Sequence, residues 1–217
     1  MQIDLPFLDS NDTKYYALDL SLSESIIKEN FHLLPEGSES FSEKRKHEFV
    51  AGRICAKSAL QKIGFENHFV MTGDNREPIW PGGVVGSITH NKNMAISIVS
   101  KNMKSLGVDV EGILEGDRFN KLKSKFLTEE ENKSFKIDEK LGTLIFSAKE
   151  SLYKALYPTV KEFFSFYDAQ VIEINEENII IKVLRSDGAF SQFKEAIRVD
   201  YCQYQNNIIT MIKIINI

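Results

Sequence analysis

"GVDVEG", at Gly107–Gly112, places two carboxylates two positions apart in an otherwise apolar stretch of β type. Because side chains alternate between the faces of a strand, Asp109 and Glu111 point one way while Val108 and Val110 point the other. Like charges side by side destabilise a strand unless a positive partner offsets them. The alternative is an exposed strand face, since antiparallel sheets often keep one side in water.

The bulk composition narrows the class of protein. The chain has 217 residues, 42% of them hydrophobic, which suffices for a core in one domain or two small subdomains. A net charge of -4 argues against nucleic-acid binding through a broad basic surface. Cys55 and Cys202 are too few for a disulfide framework and lack metal-ligand spacing. With no signal-peptide pattern and no membrane-length apolar run, we expect a cytoplasmic protein.

A helix is predicted over residues 40–64. Ser40 with Glu43 forms a capping-box pattern, and Gly64 suits the left-handed position just past a helix end. An apolar stripe at helical spacing contains Phe49, Ala56, Leu60 and Ile63. Three basic residues fall outside this stripe, namely Arg45, Arg53 and Lys57. A solvated basic face is the simplest interpretation of them.

The remaining elements indicate an α+β protein. Residues 84–89 and 94–100 predict a hairpin, residues 105–112 a third strand, and Thr128 with Glu131 a capping box that opens a short helix. A longer helix is predicted from Leu141 to Tyr157, closed by Pro158. Two further hairpins are predicted in the tail, from residues 169–174 with 178–184 and from residues 197–204 with 208–214.

The helix at residues 141–157 supplies a third acid. Its apolar stripe contains Leu141, Leu144, Ile145, Ala148, Leu152, Ala155 and Leu156. Glu150 and Lys154 lie one turn apart, away from this stripe, on a face that also carries aromatic side chains. An ordinary surface Glu–Lys pair is the alternative. Three carboxylates on separate rigid elements, Asp109, Glu111 and Glu150, suit a magnesium ion, which prefers oxygen ligands and substrate phosphates.

A candidate phosphate-binding segment precedes the first hairpin turn. His90 follows a predicted strand and opens the hairpin turn, and Ser87 and Thr89 lie close to it in sequence as hydroxyl donors. A polar turn histidine with no ligand is the alternative, and the neighbouring hydroxyls favour the phosphate site.

These motifs, taken in order, resemble those of the 4′-phosphopantetheinyl transferases. "GVDVEG" resembles the family motif G-[IV]-D-[IV]-E, and "FSAKESLYKAL" resembles [FW]-[SC]-x-K-E-[AS]-x-x-K. "EFVAGRICAKSAL" and "REPIWPGGVVGSITH" are similar to segments of the enterobactin-synthetase type among the monomeric, two-lobed members. Phe146 stands where many members have Trp, and Thr89 where many have Ser.

The resemblance implies a fold and a reaction. The fold is α+β, with two similar lobes related by a pseudo-twofold axis, each a small antiparallel sheet packed with a long helix. We place the lobes at residues 1–103 and 104–217. The reaction transfers the phosphopantetheine arm of coenzyme A to a serine of an apo carrier protein and releases adenosine 3′,5′-bisphosphate. The carrier would be of the peptidyl, aryl or acyl class, and the enzyme a monomer.

The resemblance also implies residue roles. The magnesium ligands are Asp109, Glu111 and Glu150, and the catalytic residues are Glu150, Lys154 and His90. The residues that bind coenzyme A are Arg45, Arg53, Arg76, Ser87, Thr89, His90, Lys149 and Lys154. Two alternatives remain at this point: a magnesium-dependent phosphodiesterase, and an inactive carrier-binding protein of the same fold. The cationic segment at residues 118–131, "RFNKLKSKFLTEEE", is a candidate carrier-docking surface, or else a helix that packs its apolar side chains inward.

Overall fold

A computed structural model describes residues 1–215 of the chain. The α+β fold class predicted from the sequence is confirmed, with antiparallel strand pairing in each sheet. The chain divides into two compact units, Met1–Leu106 and Gly107–Ile214. The helices are α1 (Glu24–Glu29), α2 (Glu43–Gln61), α3 (Gly116–Phe126), α4 (Glu129–Ser134) and α5 (Glu139–Val160). The strands are β1 (Lys14–Asp19), β2 (Met71–Thr72), β3 (Pro78–Ile79), β4 (Val85–His90), β5 (Met94–Ser100), β6 (Met103–Gly112), β7 (Ala169–Ile174), β8 (Asn178–Val183), β9 (Ile197–Tyr204) and β10 (Asn207–Ile215).

The first unit is a three-stranded sheet covered by α2. The strand order is β1-β5-β4, and the predicted hairpin of residues 84–100 is confirmed by antiparallel pairing such as Ser87 with Ile98. Helix α2 packs on all three strands. Gly52 allows this close approach, because an added Cβ would lie 2.9 Å from the Cγ2 of Ile88. Strands β2 and β3 form a separate small hairpin.

The predicted start of α2 is wrong by two residues. Ser42 is the N-cap, since its Oγ accepts a hydrogen bond from the Arg45 backbone N–H at 3.2 Å. The Ser40 hydroxyl instead donates to the carbonyl of Gly37. The far end agrees with the sequence, because Gly64 adopts a left-handed φ of +88° and its N–H donates to the carbonyl of Gln61.

The second unit packs α5 on a five-stranded sheet of order β6-β10-β9-β8-β7. Both predicted tail hairpins are confirmed, with the last turn at Gln205 and Asn206. The capping box of Thr128 and Glu131 is also confirmed. The core contains the predicted α5 stripe, of which Leu144, Ile145, Ala148, Leu152, Ala155 and Leu156 are fully buried, together with Phe119, Phe126, Ile181 and Phe190.

Helix α5 does not end at Pro158 as predicted. Asp138 caps its start, and the helix continues through Pro158 to Val160, where Lys161 adopts a left-handed φ of +56°. Proline lacks an N–H and so removes one hydrogen bond, to the carbonyl of Lys154. In the last turn this loss is tolerated, because the helix ends two residues later, at Val160.

Candidate active site

Asp109 is held on β6 by two side chains from α5. The Lys154 ammonium donates to its Oδ1 at 2.7 Å and also to the Val108 carbonyl at 3.0 Å. The Ser147 hydroxyl donates to Oδ2 at 2.8 Å. Asp109 is only 6% exposed, so the alternative of an exposed strand face is wrong for this residue. A charge-assisted bond on one oxygen and a hydroxyl on the other fix the orientation of the carboxylate.

The strand and helix approach closely at Gly107. A Cβ added there would lie 2.0 Å from the Ser151 carbonyl oxygen and 3.0 Å from the Cβ of Ala155. Only glycine fits this contact, so Gly107 lets α5 lie directly against the start of the acidic segment.

The pKa values of Glu111 and Glu150 are both raised, in part by the neighbouring acids, which indicates that these carboxylates share one site. Burial raises the pKa of Glu150, and the negative charges of Asp109 and Glu111 raise it further, against the opposing charge of Lys154. Burial also raises the pKa of Glu111, while Arg118, whose Nη2 donates to Glu111 Oε1 at 2.8 Å, lowers it. The charge of Asp109 therefore raises the pKa of both Glu111 and Glu150, and the charge of Glu111 adds to this effect at Glu150.

Lys154 pairs with Asp109 and not with Glu150, so the ordinary surface Glu–Lys pair is wrong. The structure thus brings Asp109, Glu111, Glu150 and Lys154 together. The donor set fits a hard divalent cation in its chemistry, since the acids offer only oxygen atoms and the three carboxylates have two cationic partners, Lys154 and Arg118. Within residues 1–215, no group of three or more His, Cys, Asp or Glu side chains is placed so that it could hold a metal ion as the side chains stand.

A pocket of 300 Å³ adjoins Glu150. Its walls are mainly aromatic: they include Tyr153, Phe163, Phe164, Phe166 and Tyr167. Tyr153 stacks on Tyr157 with ring centroids 5.5 Å apart, which agrees with the predicted aromatic face of α5. Phe163 is 77% exposed, so the pocket opens to solvent on an apolar edge.

Lys149 does not contribute to this site in the way that the resemblance implies. Its ammonium is buried and donates to Glu131 Oε2 at 2.9 Å, to the Phe126 carbonyl at 2.8 Å and to the Phe166 carbonyl at 3.1 Å. An ammonium has three donors, so no donor is left for a ligand. Lys149 therefore has a structural environment in this fold, although it also lines the pocket beside Glu150.

In the first unit, His90 and Arg45 form a second cluster. The Arg45 Nη1 lies 3.2 Å from His90 Nε2, and the His90 Nδ1 lies 3.6 Å from Glu48 Oε2. Since arginine can only donate, Nε2 is an acceptor and Nδ1 carries the proton. This pairing orients the imidazole at the end of β4.

Arg53 is not on a solvated face, and that interpretation is wrong for it. The guanidinium is buried at 9% exposure, donates to Thr72 Oγ1 at 2.8 Å, and lies 4.6 Å from the centroid of the Phe49 ring. Burial lowers the pKa of Arg53 to about 10, with a contribution from the Arg45 charge. Arg53 lines a second pocket, of 640 Å³, together with Thr72 and Met71.

The other predicted residues of this unit are spread out. Ser87 and Thr89 are buried on one face of β4, whereas His90 lies on the alternate face at 23% side-chain exposure. Arg76 is exposed in the turn between β2 and β3, with a left-handed φ of +66°.

Sequence reasoning missed three partners of the predicted acids and of Lys149. Ser147 lies inside the quoted "FSAKE" motif, so its spacing from Glu150 was available as a signal. Arg118 contacts Glu111, and Glu131 contacts Lys149. Both contacts depend on the tertiary fold, and no local sequence pattern predicts them.

Two family models match the chain. Residues 35–100 match the 4′-phosphopantetheinyl transferase N-terminal domain, and residues 105–206 match the 4′-phosphopantetheinyl transferase superfamily. The chain belongs to the 4′-phosphopantetheinyl transferase superfamily. This phosphopantetheinyl transferase is 32% identical over 180 residues to enterobactin synthase component D of Salmonella typhimurium, covering 81% of this chain and 75% of the relative.

Further relatives carry the same family identity. The transferase is 35% identical over 169 residues to enterobactin synthase component D of Escherichia coli, covering 74% of this chain and 78% of the relative. It is 30% identical over 132 residues to 4′-phosphopantetheinyl transferase PptT of Mycobacterium tuberculosis, covering 59% of this chain and 58% of the relative. The resemblance predicted from the motifs is confirmed, and the protein is an enzyme that transfers the phosphopantetheine arm. Within residues 1–215, no helix has both the length and the apolar character needed to cross a bilayer.

Proposed function

We propose that the enzyme moves the phosphopantetheine arm of coenzyme A to a serine of an apo carrier protein and releases adenosine 3′,5′-bisphosphate. The observation that carries this proposal is the buried acid cluster, in which Glu150 has a raised pKa beside Asp109, Glu111 and Lys154. Phosphoryl transfer requires mainly positioning and charge neutralisation. The cluster offers positioned oxygen ligands, and a cation held by them would supply the neutralising charge.

Asp109, Glu111 and Glu150 are the residues that would hold a magnesium ion, which when bound would supply the positive charge that offsets these acids and the pyrophosphate of the substrate. Asp109 already has a fixed orientation through Ser147 and Lys154. Arg118 neutralises Glu111 in this structure from an exposed position at 62% side-chain exposure, so it can move aside at small cost.

Glu150 is the proposed base. A raised pKa brings a carboxylate closer to the pH at which it can accept a proton and later return it. The carrier serine oxygen forms a bond to the phosphorus that bears the pantetheine arm, and the bond from that phosphorus to the bridging oxygen breaks. The serine proton passes to Glu150, directly or through a water, and adenosine 3′,5′-bisphosphate leaves with the bond electrons. Lys154 stabilises the negative charge on the leaving phosphate.

Arg45, Arg53 and His90 are the proposed contacts to the nucleotide phosphates. Arginine is suited to forked contacts with phosphate oxygens, and Arg53 lies on the wall of the 640 Å³ pocket. The His90 imidazole is oriented by its contacts with Arg45 and Glu48. Arg76, exposed in a turn, is a further proposed phosphate contact. Ser87 and Thr89 would contribute through the backbone of β4, since their side chains are buried.

The aromatic pocket beside Glu150 supports a role for the pantetheine arm. A pocket of 300 Å³ with mainly aromatic walls suits a flexible chain of methylene and amide groups. Because Glu150 lines the same pocket, an arm bound there would lie next to the proposed base.

The proposed acceptors are peptidyl or aryl carrier domains of siderophore or other non-ribosomal peptide synthetases. Two of the relatives reported above are named as components of enterobactin synthase, which favours this class over the fatty-acid carrier.

The test is mass spectrometry of a panel of apo carriers incubated with the enzyme, coenzyme A and magnesium. We expect peptidyl and aryl carriers to gain the mass of one phosphopantetheine, and we expect chelation of magnesium to abolish this gain. Glu150→Gln serves as the matched inactive control. Release of adenosine 3′,5′-bisphosphate at an equal rate without any carrier would instead indicate a phosphodiesterase, and preference for the fatty-acid carrier would contradict the proposed acceptor class.

A further inference from the structure

The buried ion pair of Lys149 and Glu131 lies directly beside the proposed base. Both side chains are almost completely buried, at 1% and 0% exposure. Burying two charges is unfavourable unless the remaining donors and acceptors are also satisfied. The structure meets this condition in full, which indicates a built network and not a chance contact.

Each member of the pair connects several elements. Lys149, on α5, donates to the last carbonyl of α3 at Phe126 and to Phe166 in the 3-10 helix Phe166–Asp168. Glu131, on α4, accepts from the backbone N–H of Val171 on β7 at 2.7 Å and from the N–H of Thr128 at 2.8 Å. One ion pair therefore ties α3, α4, β7 and the 3-10 helix to α5.

The opposite side of α5 is tied to the sheet. Ser147 bonds to Asp109 on β6, and the Ser151 hydroxyl lies 2.6 Å from the Thr210 hydroxyl on β10. The helix turn that carries Glu150 is thus held from both sides, by hydroxyls toward the sheet and by Lys149 toward the outer helices. Removing either set would allow that turn to shift or rotate.

We propose that the Lys149–Glu131 ion pair is a positioning device for Glu150 and for the aromatic pocket, and that Lys149 does not contact coenzyme A. Phe126, Phe166 and Lys149 meet at one place, and Lys149 and Phe166 both line the pocket beside Glu150. The lysine therefore sets the distance between α5 and the pocket wall at residues 163–167. This inference rests on the proposed transfer reaction.

The experiment compares Lys149→Arg and the double variant Lys149→Met/Glu131→Gln with the wild-type enzyme. Arginine keeps the charge, so it leaves no unpaired glutamate, but its larger planar group cannot direct single donors to Glu131, Phe126 and Phe166 within the same space. The double variant removes both charges together and avoids a lone buried carboxylate. Lys133→Met, at an exposed lysine of α4, is the control for loss of a lysine.

Three quantities are measured for each variant: kcat for carrier modification with both substrates saturating, the Kd of coenzyme A by calorimetry, and the melting temperature. Misplacement of a reacting group by about 1 Å can cost about 100-fold in rate, so we expect kcat to fall by about 10-fold or more in both variants. We expect the Kd of coenzyme A to stay within about 2-fold of the wild-type value, because the pair makes no ligand contact.

The outcomes distinguish the positioning role of the Lys149–Glu131 ion pair from the proposed transfer reaction. A raised Kd in the double variant that Lys149→Arg restores would mean that Lys149 binds phosphate, and would overturn the inference. An unchanged kcat in both variants, assayed well below their melting temperatures, would reduce the pair to a purely structural role and also overturn it. A wild-type enzyme that modifies no carrier would overturn the proposed function, and the positioning role with it.

Discussion

Glu150 is a carboxylate in a place that disfavours its charge. Burial and the neighbouring acids raise its pKa, so the folded, metal-free protein holds the proton of Glu150 more tightly than the unfolded chain does. The associated stability is fully present below the unfolded pKa of about 4.5. It is lost as the pH rises through the higher folded value.

Glu150→Gln should therefore stabilise the metal-free protein at neutral pH but not at pH 4. Each unit by which a folded pKa exceeds its ordinary value corresponds to about 1.4 kcal/mol. For a chain of this size about 1 kcal/mol moves the melting temperature by about 2–4 °C. Melting curves in a chelator across pH 4–8 would check this, with Glu66→Gln at an exposed glutamate as control. A variant that melts below wild type at pH 7 would contradict the burial of an uncompensated charge.

At the scale of elements, α2 and the β2–β3 hairpin are joined by Arg53. The guanidinium bonds to Thr72 and stacks on Phe49, so it serves packing as well as any ligand. The sequence does not predict this packing role of Arg53, because its partner Thr72 lies on a hairpin with only two residues in each strand.

Arg53→Ala should raise the KM for coenzyme A about 10-fold or more and leave kcat at saturation little changed, because a phosphate contact made equally in the ground and transition states affects binding alone. The same substitution should lower the melting temperature, because it removes the contacts with Thr72 and Phe49. Thr72→Val is the matched variant: it removes the hydrogen bond partner and leaves the guanidinium, so it should lower stability more than affinity. Steady-state kinetics with coenzyme A and its 3′-dephospho form would test the contact. An equal loss on both substrates would show that Arg53 does not bind the 3′-phosphate.

Helix α3 turns its apolar residues inward and its cations outward. Phe119 and Phe126 are buried in the core, so the apolar half of the predicted docking surface is wrong, while Lys121 and Lys125 are exposed. The charged face of α3 is therefore the part of the proposed docking surface that is exposed.

Charge reversal of this face, Lys121→Glu/Lys125→Glu, should raise the KM for an acidic carrier about 5-fold or more at low salt and leave the KM for coenzyme A unchanged. The effect should shrink as salt is added, since exposed charges are screened. Lys133→Glu/Lys136→Glu makes the same change in net charge outside α3 and is the control. Equal effects from both double variants would assign the result to net charge and not to docking.

At the scale of the whole molecule, the sequence predicts most of the elements but few of the contacts. The carboxylates of β6 and α5 were identifiable because their spacing and motif context are local properties of the chain. The contacts of Arg118 with Glu111, Ser147 with Asp109 and Glu131 with Lys149 were not, because each joins two different elements that only the tertiary fold brings together. The prediction that α5 ends at Pro158 is wrong because a proline often marks the end of a helix, whereas the last turn of a helix tolerates one.

Magnesium should raise the melting temperature of the whole protein without any substrate, because a ligand that binds only the folded state stabilises it in proportion to the logarithm of its concentration. At about 100 times the Kd this amounts to about 2.7 kcal/mol. Thermal melting against magnesium concentration would measure it, with Glu111→Gln expected to weaken the response and Glu115→Gln, at an exposed acid beyond β6, expected to leave it unchanged. A wild-type protein whose melting temperature ignores magnesium would contradict the assigned ligands.

The contact at Gly107 fixes the spacing between the strand and the helix that carry the acid cluster. At Gly107 the strand that bears Asp109 and the helix that bears Glu150 leave room for a hydrogen atom but not for a side chain. A Cβ at this position would lie 2.0 Å from the Ser151 carbonyl oxygen. A single methyl group at position 107, two residues before Asp109, would push the strand and the helix apart. The spacing of the acids is therefore encoded in a residue that has no side chain and takes no part in the chemistry.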